Sequence, residues 1–193
     1  MKITEIMAIV FLTTTFARAE EKGFERQVTV CIEPGAALNE SIRAQAITGK
    51  MFADAGIRVN WYSESSCPKN EKTVIHISLE MGTPEQRFPG ALAFALPYEG
   101  IHIRVFAGRV RKLFDPNRVS LVLAHVLAHE IGHILQGVNR HSESGIMKAK
   151  WDKMDFRRMA YKPLAFAAED VRLFSLGLQA RAARAENHPV PKE

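Results

Sequence analysis

The sequence predicts an α/β fold of the α+β kind: a mixed, twisted sheet backed by a helix, a buried helix after it, and a mainly helical C-terminal part. Three observations predict it. Short alternating segments rich in β-formers crowd the first 106 residues. An apolar, helix-punctuated stretch covers residues 116–136. A second helix-forming stretch lies near the end, with no domain linker or repeat between them.

The first segment is not expected to be part of that fold. Lys2, the apolar run of residues 6–16 and the small-x-small triplet Ala17-Arg18-Ala19 have the layout of a signal peptide over residues 1–19. The mature chain then begins near Glu20. The competing reading is a retained anchor, but the run is well short of the ~20 residues needed to span a bilayer. No later segment reads as membrane-spanning. With a signal peptide, the expected location is periplasmic or secreted. The even pair Cys31 and Cys67 is then expected to form a disulfide.

Residues 27–32 (QVTVCI) alternate and read as a strand, broken by Pro34-Gly35. A helix follows from Asn39, its expected N-cap, to about Ala55, and Gly56 stops it. Residues 57–62 and 73–79 read as strands, separated by a polar loop around Cys67-Pro68. A short apolar run, residues 91–96, reads as an edge strand, and residues 101–106 (IHIRVF) as a further strand. Asp115 and Pro116 open the next helix as N-cap and first helical residue, and Gly137 closes it. Its residues 119–135 are apolar on nearly every face, so it belongs in the core. A last helix is expected over residues 167–185. The domain so described covers residues 20–186, and residues 187–193 read as a disordered tail.

Composition narrows the function classes. The chain is 47% hydrophobic and 24% charged, which excludes collagen, coiled coil and a disordered protein. Its net charge is a mild +5 and its basic residues are scattered. The densest group, Arg104, Arg109, Arg111 and Lys112, reads as a solvated face with no nucleic-acid signature beside it.

The chemistry lies in His129-Glu130-Ile131-Gly132-His133, an H-E-x-x-H match. Residues four apart share a helical face, so two imidazoles can approach one ion. Glu130 projects beside such an ion and can deprotonate water there. Burying two histidines and a glutamate in an apolar helix is otherwise costly. Zinc is the expected ion, with a third protein ligand leaving the fourth position for water. His141, just past the helix stop, is the leading candidate for that ligand; Glu169, Glu143 and Asp152 are its rivals by residue type. His125 reads as a core or supporting histidine, His76 and His102 as structural or surface. Trp151 and Tyr161 are candidates to line the cleft.

Across residues 125–151 the chain resembles the zincin metallopeptidases, and the metzincin branch in particular. That family continues H-E-x-x-H with x-x-G-x-x-H and then a methionine turn. Here Gly137, His141 and Met147 (in Ser144-Gly145-Ile146-Met147) follow in the same order, with Gly137 one residue later and His141 two residues later than the pattern. The resemblance implies a zinc metallopeptidase with His129, His133 and His141 as ligands, Glu130 as general base, and Gly137 and Met147 in support. It also implies a peptide or protein substrate held in extended form along the edge strand. The rival is a non-catalytic zinc-binding module of the envelope or secreted space, against which Glu130 speaks.

Overall fold

A computed structural model describes residues 26–69, 73–82, 89–95 and 101–187. The signal-like residues 1–19 and the tail after Asn187 lie outside the described residues. Five strands form one sheet in the order β2-β1-β3-β5-β4. They are β1 (Arg26–Glu33), β2 (Ile57–Ser63), β3 (Ile75–Leu79), β4 (Ala93–Ala95) and β5 (His102–Val105). All pair in parallel except β4, which runs antiparallel to β5 and forms an edge of the sheet. The helices are α1 (Leu38–Asp54), α2 (Ala107–Leu113), α3 (Pro116–Gln136), α4 (Lys153–Tyr161) and α5 (Ala168–Asn187).

The alternation in the sequence has its cause in burial. In β3, Ile75, Ile77 and Leu79 point into the core, and in β5 Ile103 and Val105 do the same. They meet Met51 and Phe52 of α1 and Leu123, Leu127 and Ile131 of α3 in one continuous core. Thr48 is buried within it, its hydroxyl donating to the Ala124 carbonyl of α3 at 3.0 Å. The Cys31–Cys67 disulfide ties buried β1 to the segment after β2.

Several expectations need correction. Asn39 does not cap α1: the cap position is Ala37, without a side-chain bond, because the 3-10 turn Gly35–Ala37 leads the chain into the helix earlier. Asp115 holds the N-cap position of α3 and Pro116 its first turn, but the Asp115 side chain makes no capping bond. Two helices were not expected, α2 and α4. Asn187, placed in the tail, ends α5. By length and composition α3 would suffice to cross a membrane, contrary to expectation, yet most of it is buried inside the protein. Gly56 and Gly137 do adopt left-handed conformations, with φ 74° and 68°.

The basic cluster is likewise not one solvated face. Arg104 pairs with Glu80 at 2.5 Å and Arg111 with Glu40 at 2.7 Å. Arg109 is buried and donates to the Ala91 carbonyl, just before β4. A backbone bond from Phe106 N to Leu92 O, 2.9 Å, joins it in holding the approach to the edge strand.

Candidate metal centre

α3 supplies three of the four candidate groups at fixed helical spacing. His129 and His133 stand one turn apart, with their Nε2 atoms 3.0 Å from each other. Gly137 then turns the chain, and His141 comes back to them: its ring centroid lies 5.4 Å from that of His129 and 4.9 Å from that of His133. Each histidine offers a ring nitrogen, and the three nitrogens all lie within 4.8 Å of one another. His133 is buried and His141 is exposed at the rim.

The orientation of His129 is set from below. Its Nδ1 lies 2.8 Å from the Ile146 carbonyl oxygen, so Nδ1 carries the proton and Nε2 is left as a lone-pair donor. The Ile146 amide in turn donates to the Ala165 carbonyl at 3.0 Å, and the Trp151 indole donates to the Gly145 carbonyl at 3.2 Å. The turn of residues 144–147 is therefore pinned on both sides. Met147 is fully buried at its end, beneath α3.

Whether these residues suit a cation can be tested on their protons. Burial lowers the pKa of His129, His133 and His141, and takes His133 down to about 4, helped by its two histidine neighbours. All three are thus neutral near pH 7. If His133 carries its proton on Nε2, pointing at His129, its buried Nδ1 is an acceptor without a hydrogen-bond partner. If the proton is on Nδ1 instead, two lone pairs face each other across 3.0 Å. Either arrangement has a cost that a cation between the nitrogens removes. The donor set fits a divalent metal that favours imidazole.

Glu130 is the fourth group. Burial pushes its carboxyl up to about 8. It opens, with the three histidines, onto a cleft of about 670 Å³. One wall is residues 90–95, including edge strand β4; the others include Phe114, Trp151 and Phe156. Trp151 therefore lines the cleft as expected. Tyr161 does not; it is 93% exposed at the end of α4.

The rival ligands are occupied elsewhere. Asp152 caps α4, accepting from the Met154 and Asp155 amides and from Lys148 Nζ at 2.7 Å. Glu169 pairs with Arg172 at 2.7 Å on the surface of α5. Neither they nor Glu143 belong to the histidine group. His125, one turn before His129, uses both ring nitrogens within the fold: Nδ1 donates to the Leu121 carbonyl at 2.8 Å, and Nε2 accepts from the Leu164 amide at 3.0 Å. Among the described residues one other group, Glu64, Cys67 and His76, has ligand-like proximity. Its cysteine is in the disulfide and its histidine pairs with Glu64 at 3.1 Å.

Sequence reasoning did not single out Asp170, Arg140 and Ser142, which surround the His141 loop. Asp170 lies 30 and 28 residues from Arg140 and Ser142, too far along the chain to show a pattern with them.

No protein-family model matches the chain, and no curated protein matches it in sequence. Solved structures do. Myroilysin is similar at a TM-score of 0.34 and 15% identity, over 75% of this chain and 64% of that one. The archaemetzincin of Methanopyrus kandleri is similar at a TM-score of 0.56 and 13% identity, over 82% of this chain and 98% of that one. The chain thus has the zincin-like fold that it shares with archaemetzincin, a mixed sheet and helices over nearly the whole of that neighbour's length.

Proposed function

We propose that the protein is an exported zinc-dependent metallopeptidase. The observation that carries the reading is the convergence of His129, His133 and His141 beside Glu130 in an open cleft. The fold shared with a protein named as a metzincin supports it. The signal-like residues 1–19 support export, as does a disulfide, a bond that persists in oxidising compartments.

His129, His133 and His141 would hold the zinc, with the Ile146 carbonyl fixing the His129 tautomer. Zinc held there would supply Lewis acidity, polarising a carbonyl oxygen and lowering the pKa of water toward neutrality. Glu130 acts as a carboxylate, the form favoured beside a cation, and takes the proton of the attacking water. It then delivers that proton to the leaving amine. Edge strand β4 receives the peptide in extended form, its backbone groups adding to the sheet. Arg109 steadies the approach to that strand through the Ala91 carbonyl.

Glu130→Gln tests the reading. The variant is expected to keep zinc and to lose hydrolysis of a broad peptide library. If the zinc-loaded wild type cleaves nothing, the non-catalytic module becomes the better description; a variant that cleaves as well as the wild type takes the role of general base away from Glu130.

A further inference from the structure

Asp170, in the first turn of α5, is fully buried, and nothing in the chemistry above uses it. A buried carboxylate is costly unless its oxygens are bonded. Its Oδ1 accepts from Gln136 Nε2 at 3.2 Å, Arg140 Nη1 at 3.0 Å and Ser142 Oγ at 2.6 Å. Its Oδ2 accepts from the Ala167 amide at 2.9 Å, which anchors the carboxylate to the start of its own helix. Gln136 is the last residue of α3, and Arg140 and Ser142 are the immediate neighbours of His141. One carboxylate therefore grips the loop where it leaves α3 and again on both sides of His141.

The base that carries this carboxylate is firm. α5 packs so closely on α3 that a Cβ added at Gly177 would lie 1.6 Å from the Leu135 carbonyl oxygen. His129 and His133 need no such help, because the helix repeat sets their separation. His141 stands on an exposed loop, two residues beyond the metzincin spacing. A ligand on an unrestrained loop must lose conformational freedom when it binds. We propose that Asp170 is a positioning residue for the metal centre, ordering residues 136–142 so that His141 faces the other two histidines before an ion arrives. The inference rests on the reading of His141 as a zinc ligand. Glu169, its neighbour, instead faces the surface, where its carboxylate pairs with Arg172 at 2.7 Å.

The test is cobalt(II) and zinc affinity of the full processed chain, by chelator competition, with the cobalt absorption spectrum recorded alongside. Asp170→Asn is expected to weaken binding about 10- to 100-fold, the usual effect of removing a group that orients a ligand, and to alter the cobalt spectrum. Ser142→Ala, which deletes a single bond to Oδ1, is expected to shift both in the same direction by less. It also carries the test if Asp170→Asn fails to fold. In a His141→Ala background, neither substitution should weaken binding further, because the ligand they act through is gone. Equal affinity and an unchanged spectrum in Ser142→Ala and Asp170→Asn overturn the proposal. So does an equal loss with and without His141, which marks a general structural effect. A wild type that takes up no metal overturns the zinc reading and this proposal together; a metal-binding wild type with indifferent variants overturns this one alone.

Discussion

Gly132 and Met147 touch where α3 crosses the turn beneath it: a Cβ added at Gly132 would lie 2.5 Å from the Met147 sulfur. The same Cβ would lie 3.4 Å from Phe174 of α5, and both neighbours are fully buried. The absent side chain lets the helix settle onto residues 144–147. That contact brings the Ile146 carbonyl within reach of His129.

Gly132→Ala should therefore destabilise the protein. Overpacking costs about 1–3 kcal/mol, offset by up to about 1 kcal/mol of helix propensity. Met147→Ala should cost about 2–5 kcal/mol through the cavity it leaves. The double variant should be more stable than the two losses added together, since the new methyl enters that cavity. Denaturant unfolding of the metal-free proteins measures all three. Strict additivity would mean the two residues do not meet.

The His125 hydrogen bonds predict an acid-sensitive fold. Burial lowers this histidine to about 4, and its Nε2 faces the Leu164 amide proton, so the folded state resists protonation there. The unfolded chain takes up the proton near 6.5. The contribution of neutral His125 is thus complete above about pH 6.5 and is lost as pH falls toward 4, by up to about 3 kcal/mol. His125→Gln keeps a donor for Leu121 and an acceptor for Leu164 without titrating. The stability of metal-free wild type should fall more steeply than that of the variant between pH 6.5 and 4. Parallel curves would show that His125 is not held neutral by the fold.

The parts legible in the sequence are those whose cause is local. β3 and β5 alternate because one face of each enters the core. Pro116 and Gly137 bracket α3 because the first helical turn needs no amide donor and the last residue needs a left-handed turn. The His129–His133 pair is legible for the same reason, since helix geometry alone brings them together. α4 left a local signal that reads differently in isolation: Asp152 and Asp155 form a capping box, while a lone aspartate near a histidine cluster resembles a ligand. α2 is fixed by tertiary contact, with Gly108 pressed so closely on the Met81 carbonyl that a Cβ there would lie 1.9 Å from its oxygen. The Asp170 cluster was illegible because its side-chain partners Gln136, Arg140 and Ser142 lie 28 to 34 residues away, where no local spacing links them to it.

The disulfide should matter more than the size of the core suggests. It joins residues 36 apart, and closing a loop of that length stabilises by about 3–4 kcal/mol through the unfolded chain. Cys31 also sits fully buried in β1, between β2 and β3. Reduction should lower Tm by roughly 10 °C for a domain of this size. Thermal unfolding with and without reductant, with thiol titration, checks it. An unchanged Tm in fully reduced protein would remove the bridge from the account of stability.

Zinc uptake should be visible in the unfolding temperature as well as in activity. An ion that binds only the folded state adds about 2.7 kcal/mol at a hundredfold excess over its Kd. At about 2–4 °C per kcal/mol, the wild type should gain about 5–10 °C, reversed by chelator. Glu130→Gln should keep that gain, because Glu130 sits outside the histidine group. His141→Ala should lose most of it at the same zinc concentration, having only the two helix imidazoles left. If His141→Ala gains as much as the wild type, the third ligand must be sought elsewhere, while loss of the gain in His129→Ala and His133→Ala would still hold the ion to α3.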